Sequence, residues 1–142
     1  MTDRTTWPAL AERCEKATGP DRIIDGLIYM AMQSNPPAYW EASASGLIWA
    51  WNSPPPHPAG TGGRWACPDE FTASLDAITA LIEKELPQSE DCWSVGALHT
   101  CQPPWVGGVW GDDEKEVWAR GRTPALALCA AFCRAMAEKS SP

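Results

Sequence analysis

The most regular hydrophobic pattern in the chain lies between Thr123 and Lys139. Thr123 can accept a hydrogen bond from the open backbone N–H groups at the start of a helix, and Pro124 suits the first helical position, where it loses no hydrogen bond. The opposite side of this segment is mostly alanine until Arg134. Such a helix needs burial on more than one side, so we expect it to be the central helix, packed on a sheet. Its apolar positions recur at spacings of three and four residues: Ala125, Leu128, Cys129, Phe132, Cys133 and Met136.

Helical patterns also occur in three earlier segments. Residues 5–20 combine a threonine hydroxyl as the expected cap, an early proline and a final Gly-Pro, with Leu10 and Cys14 facing inward. Asp21 is expected to cap the second helix, and Pro87 to end the third. The inward positions that we expect in the second and third helices are Ile24, Leu27, Ile28, Ala31, Leu75, Ile78, Leu81 and Ile82.

Short runs rich in Trp, Val and Ile occupy much of the remaining chain and are typical of strands. In the first of them, Trp49 and Trp51 alternate with Ile48 and Ala50, so both sheet faces should be covered. The first two runs are expected to form a hairpin around residues 53–63, a proline- and glycine-rich exposed loop or lid. The five expected strands cover residues 46–52, 64–67, 92–99, 105–110 and 115–120.

These elements follow the order helix, helix, strand, strand, helix, three strands, helix. This order predicts an α+β fold with a mostly antiparallel sheet of about four or five strands sandwiched between helices. The 142 residues are the size of one domain, so we expect a single domain over residues 1–142.

Composition and charge narrow the function classes. The net charge of −7 argues against a protein that binds nucleic acid, because such binding needs a basic surface that releases counterions from the phosphate backbone. The sequence shows no secretory signal pattern and no apolar run long enough to span a membrane. We therefore expect a cytosolic protein without membrane partners, with its six cysteines reduced.

Two segments carry a resemblance to a known family. The run of residues 71–77, Phe-Thr-Ala-Ser-Leu-Asp-Ala, precedes a tryptophan-containing strand, and residues 122–131 read Arg-Thr-Pro-Ala-Leu-Ala-Leu-Cys-Ala-Ala. Together they resemble the phage ABA-sandwich domain family, most closely over the second half of the chain. The resemblance implies an α-β-α layering, a phage or prophage origin and therefore the cytoplasm of an infected or lysogenic bacterial host. It implies no catalytic residues. The segment 53–63 departs from the family pattern.

The nine tryptophans are more than a core of this size needs. Trp51, Trp65 and Trp118 lie on expected strands, where alternate residues gather on one face and can stack against flat rings such as nucleobases. The alternative is that these rings belong to the core and to interfaces, where large aromatic side chains are also common.

A cationic junction precedes the last helix. Arg120 and Arg122 flank Gly121, and Thr123 follows, so guanidinium groups, a hydroxyl and open helix N–H groups come together in a pattern that suits a phosphate or carboxylate. Arg64 is a further candidate for this site. The alternative is that Thr123 only caps the helix and that the arginines pair with nearby acids such as Asp112 and Glu116.

The sequence offers little support for metal or catalytic sites. No Cys-x-x-Cys pair is present, and Cys129 and Cys133 share so apolar a helix face that buried thiols are the better interpretation. We found no nucleophile with an orienting partner and no Walker or dinucleotide-binding glycine motif. We therefore expect no cofactor, no metal and no enzymatic activity.

The favoured hypothesis is a binding protein that sequesters a small anionic ligand, such as a nucleotide-derived bacterial immune signal, and that acts as an anti-defence sponge in a phage. An acidic inhibitor that binds a host defence or nucleic-acid-binding protein is the alternative, and an enzyme acting on such a ligand is a third class. Surplus apolar strands and tryptophans also favour a homo-oligomer. The candidate ligand-binding residues are Arg64, Trp51, Trp65, Trp118, Arg120, Arg122 and Thr123.

Overall fold

The computed structural model describes residues 6–33, 39–51, 64–86, 93–98, 100, 102–110 and 116–140, with the backbone alone for Arg64, Trp65 and Ser140. Within these residues the chain forms an α+β fold, as the sequence predicted. The elements in chain order are α1 (Trp7–Lys16), α2 (Arg22–Ala31), β1 (Tyr39–Ala42), β2 (Ile48–Trp51), β3 (Arg64–Ala66), α3 (Leu75–Glu85), β4 (Trp93–Ala97), β5 (Trp105–Trp110), β6 (Glu116–Gly121) and α4 (Pro124–Ser140).

Helix α4 is the centre of the fold, which confirms the prediction from its pattern. Every side chain from Leu126 to Cys133 is fully buried. The helix packs against α1 on one side and against β5 and β6 on the other. The hydroxyl of Thr123 accepts a hydrogen bond from the Leu126 N–H at 3.2 Å, so the predicted cap is also confirmed.

The strands form two antiparallel sheets of three strands each within the described residues, in the orders β1-β2-β3 and β4-β5-β6. The sequence predicted one sheet of four or five strands and missed β1. Helices cover one face of the β4-β5-β6 sheet, where Val109, Val117 and Ala119 meet α4. The opposite face carries the more exposed Trp118, so the two faces are not both covered in the described residues.

The β1-β2-β3 sheet packs on α2 through the face that carries Trp40 and Ile48, both buried. A Cβ atom at Gly26 of α2 would lie only 2.7 Å from the Ile48 side chain, so helix and sheet are in close contact. The other face of this sheet carries Trp49 and Trp51, whose rings meet edge to face at a centroid distance of 5.7 Å. The alternation predicted for these residues is confirmed.

The local predictions mostly hold. Asp21 caps α2 by accepting hydrogen bonds from the N–H groups of Ile23 and Ile24. Leu10 and Cys14 are fully buried, as expected. Thr6, however, makes no side-chain cap for α1. Leu75 lies on the same face as the buried Ile78 and Ile82 but is 37% exposed, because it is the first residue of α3.

The predicted loop at residues 53–63 lies outside the described residues. In the part of the chain that is described, no helix has the length and apolar character needed to cross a bilayer.

Candidate functional site

We call the face of the β4-β5-β6 sheet that points away from α4 the open face. Residues paired across antiparallel strands share a face, so the strand register assigns its members. The pairs Val106 with Arg120 and Gly108 with Trp118 lie on this face, opposite the side on which Val109 and Val117 pack on α4. The open face consists of Ser94, Gly96, Val106, Gly108, Trp110, Glu116, Trp118 and Arg120.

Trp118 is the most exposed tryptophan in the described residues, at 45% of its surface. A Cβ atom at Gly108 would lie 2.6 to 2.9 Å from the six-membered ring of Trp118, so the ring lies directly over the glycine of the neighbouring strand. The Trp110 ring meets it at a centroid distance of 6.0 Å and an angle of 70°. The indole can therefore lie in this position only because residue 108 has no side chain.

A single carboxylate fixes both indole rings. Glu116 accepts a hydrogen bond from the Trp118 indole N–H at 3.1 Å and another from the Trp110 indole N–H at 3.3 Å. Both polar ends of the indoles are thus satisfied within the protein. What remains accessible on Trp118 is apolar ring surface, which is the part that stacks on flat ligands.

Arg120 lies two residues after Trp118 on the same face. Its Nη2 atom is buried and has no hydrogen-bond partner among the described residues. A buried N–H donor without an acceptor is costly, and the cost is larger for a charged group. An oxygen acceptor would remove this cost, and reaching the buried Nη2 requires the side chain to move.

Trp118 and Arg120 line the same shallow cavity, whose volume is about 520 Å³. Val106 and the half-exposed Leu98 give it an apolar wall. Glu15 and Arg134 complete it and form an ion pair with each other. Since these two charges compensate each other, Arg120 is left as the cation of the cavity without a described counter-charge.

The structure places the other predicted residues of the cationic junction differently. Arg122 is exposed and follows the end of β6. Thr123 uses its hydroxyl to cap α4, and its carbonyl accepts from the Ala127 N–H. A Cβ atom at Gly121 would lie 2.5 Å from the Ala127 nitrogen, so the first turn of α4 is packed against β6. Part of the predicted anion-binding site at the start of α4 is therefore occupied by the cap and by the packing of β6.

Trp51, Arg64 and Trp65 belong to β2 and β3 and so to the other sheet. The two sheets share no strand, and the predicted convergence of these residues with Arg120 is not present in the strand pairing. Arg64 pairs with Ala50, on the face opposite Trp51. The structure thus places Trp118 and Arg120 on one face of one sheet, whereas Trp51, Arg64 and Trp65 lie on strands of the other sheet.

The acid expected to neutralise the arginines has another role. Glu116 accepts from two indoles, as described above, and forms no ion pair with Arg120 within the described residues. Asp112 lies outside those residues.

Leu98 and Val106 were not predicted as site residues. Neither has a chemical signal in the sequence, and only the pairing of β5 with β6 shows that Val106 lies beside Arg120. Trp110 carries the same alternating signal as Trp118, and a known register would have assigned it to the same face.

A cluster of three cysteines lies between α1 and α4. Cys14, Cys129 and Cys133 are all fully buried, and the Cys129 thiol donates to the Phe71 carbonyl at 3.3 Å. Hydrogen bonding with Cys129 and Cys133 lowers the pKa of Cys14, while burial raises the pKa of Cys129 and of Cys133. No group of side chains suited to a metal ion occurs among the described residues, and the prediction that Cys129 and Cys133 are buried thiols is confirmed.

Comparisons of the chain with models of known protein families, with curated proteins and with solved structures found no match. The resemblance to the phage ABA-sandwich family therefore stays a prediction from the sequence.

Proposed function

We propose that this protein binds a small anionic ligand with a flat ring, in the cavity formed by Trp118 and Arg120. The observation that carries the proposal is the exposed indole beside a guanidinium whose buried Nη2 has no described partner. An aromatic face and a nearby cation are the two groups that a nucleotide requires, one for the base and one for the phosphate.

The free energies expected for these ligand contacts indicate which kind of ligand the cavity favours. Stacking of a base on an aromatic side chain contributes about 1–3 kcal/mol. A hydrogen bond to a charged group contributes about 1.5–3 kcal/mol. The apolar wall of Val106 and Leu98 adds contact surface. These terms favour a ligand that combines a ring with an anionic group over a ligand that has only one of them.

Binding without chemical conversion is part of the proposal. Apart from Arg120, the ionisable side chains that line the cavity are Glu15 and Arg134, and these pair with each other. A general base needs a free lone pair within reach of the substrate, and the Glu15 carboxylate is already engaged by Arg134. In a phage, such a protein would act as a sponge for a nucleotide-derived immune signal, and this role rests on the sequence resemblance alone.

The experiment is a thermal-shift and calorimetric screen of cyclic dinucleotides and ADP-ribose derivatives, followed by chemical analysis of the ligand after denaturation. We expect at least one ligand to raise the melting temperature and to be recovered unchanged. No shift across the panel contradicts the proposal. Accumulation of a product contradicts the non-catalytic part of it.

Variants locate the site. Arg120→Gln should reduce affinity about tenfold or more, because it removes a charge-assisted hydrogen bond. Its ligand-free melting temperature should stay unchanged or rise, since the unpartnered guanidinium is gone. Arg13→Gln, on the exposed side of α1, is the matched control and should bind as the wild type does. Equal affinity in Arg120→Gln and wild type places the ligand elsewhere.

A further inference from the structure

Strand β6 lies at an edge of its sheet. It pairs with β5 on one side, and within the described residues no backbone hydrogen bond joins it to any other element. In an antiparallel strand, alternate residues direct their N–H and C=O groups away from the neighbour. Within the described part of the chain, β6 therefore presents a row of backbone donors and acceptors without partners on its outer side.

The side chains of β6 are arranged symmetrically about Trp118. Glu116 lies two residues before it and Arg120 two residues after it, all on the open face. Val117 and Ala119 lie on either side of it on the face toward α4. An antiparallel pair with its two-fold axis at Trp118 therefore sets Glu116 opposite the partner subunit's Arg120, and Val117 opposite the partner subunit's Ala119.

We propose that two copies of this chain associate through antiparallel pairing of their β6 edges, centred on Trp118, to form one continuous six-stranded sheet. The two-fold symmetry makes two Glu116–Arg120 pairs for each dimer. Shifting the register by one residue loses both pairs, because it moves each side chain relative to its opposite charge. Charge complementarity thus specifies the register as well as the partner.

Glu116 and Arg120 each have hydrogen-bonding positions left for the contact between subunits. The Glu116 carboxylate accepts from two indole N–H groups, and a carboxylate offers about four acceptor positions. The Nη2 atom of Arg120 lacks a described acceptor. Because a guanidinium carries five N–H donors, Arg120 can contact the carboxylate and a ligand anion at the same time.

The edge is also accessible. The Trp118 ring leans over Gly108 of β5, away from the free side of β6. Helix α1 contacts β6, but an open groove of about 710 Å³ lies between Val117 and the α1 residues Pro8 and Ala11, so α1 leaves part of the strand uncovered. This inference does not depend on the proposed ligand, since the pairing uses the backbone and side chains of the protein alone.

Sedimentation equilibrium of the ligand-free protein, from low to high micromolar concentration, tests the proposal. The wild type should show a reversible monomer–dimer equilibrium. Glu116→Arg and Arg120→Glu should each raise the dimer dissociation constant about tenfold or more, because two attractive pairs become two repulsive ones. The double variant Glu116→Arg/Arg120→Glu should regain most of the wild-type affinity. Glu70→Arg, an exposed charge reversal before α3, should leave the equilibrium unchanged.

A second measurement covers the case in which a charge variant does not fold. A residue on the two-fold axis is the one that meets itself, so Trp118→Cys should form an intersubunit disulfide under mild oxidation, identified by mass spectrometry of the linked peptides. Ser94→Cys, on the same face but on β4, should not. A wild type that remains monomeric throughout, or a double variant that does not regain association, overturns the proposal. In that event the charges on β6 serve to keep other strands away from the edge.

Discussion

At the residue scale, the buried carboxylate of Asp25 ties α2 to the segment that leads into α3. It is fully buried and accepts hydrogen bonds from the Thr72 N–H and the Thr72 hydroxyl, both at 2.8 Å, and from the Arg22 guanidinium at 2.9 Å. Arg22 also donates to the Pro68 carbonyl at 3.0 Å. Every acceptor need of this carboxylate is met locally, so its role is structural.

The pH dependence of stability tests this account of Asp25. Burial raises the pKa of the Asp25 carboxyl above its ordinary value of 3.8, and the hydrogen bonds from Thr72 and Arg22 oppose this only in part. The folded state therefore holds the proton more readily than the unfolded state. Proton binding by Asp25 therefore stabilises the folded state. This stabilisation is complete below the pKa that Asp25 has in the unfolded chain, and it is lost as the pH rises through the pKa that Asp25 has in the folded protein.

The measurement compares unfolding free energies of the wild type and Asp25→Asn by urea titration across this pH range. Asparagine keeps one oxygen acceptor but does not titrate. We expect the wild type to lose stability relative to Asp25→Asn as the pH rises from about 4 toward neutrality. If the wild type instead gains relative stability, the ion pair with Arg22 dominates over burial and the direction of the pKa shift is wrong.

At the element scale, two glycines control how α4 sits on its sheet. A Cβ atom at Gly107 would lie 2.7 Å from the backbone carbonyl of Ala127, and one at Gly121 would meet the same turn of the helix. Because backbone atoms cannot move aside as a side chain can, the helix approaches the sheet this closely only over glycine. The alanines of α4 provide the matching small surface on the helix side.

A pair of matched substitutions measures this contact. Gly107→Ala should lower the free energy of unfolding by about 1–3 kcal/mol, through overpacking against α4. Gly96→Ala, in the adjacent strand, meets no atom within 4 Å and should change it by less than about 0.5 kcal/mol. Chemical denaturation of both variants provides the comparison. Equal effects in the two variants contradict the close packing.

Helix positions were the most predictable elements, because their signals are local. The cap at Asp21, the proline at the start of α4 and the three-to-four spacing of its apolar residues each act within a few residues. Strand alternation gave the correct faces for β2 for the same reason. β1 was missed, since two of its four residues, Glu41 and Ala42, are residue types that strands contain less often.

The division of the strands into two sheets was not predictable in this way. Pairing depends on contacts between residues far apart in the sequence, and antiparallel strands of similar composition fit more than one partner. The same limit applies to the candidate site. Trp118 was predicted from its place on a tryptophan-rich strand and Arg120 from the cationic junction before α4, and the strand register shows that they share a face. The proposed participation of Arg64 needed β3 to lie near β6, and no strand pairing joins the two.

At the scale of the whole molecule, the described residues present two aromatic surfaces, one on each sheet. One is the pair of Trp49 and Trp51 on the β1-β2-β3 sheet, and the other is the open face around Trp118. Only the second combines an exposed ring with a cation that lacks a described counter-charge, in a chain whose net charge is −7. A single cation on an acidic molecule suits a small anion better than a long polyanion, whose other charges would be repelled.

Nuclear magnetic resonance of protein labelled with ¹⁵N in its indole groups tests the central claim most directly. Each of the nine tryptophans gives its own indole N–H signal, and Trp118→Phe assigns the signal of Trp118. We expect a ligand from the nucleotide panel to shift the signals of Trp118 and Trp110 first and to leave those of Trp49 and Trp51 in place. Shifts confined to Trp49 and Trp51, or no shift with any ligand of the panel, would contradict a binding site at Trp118 and Arg120.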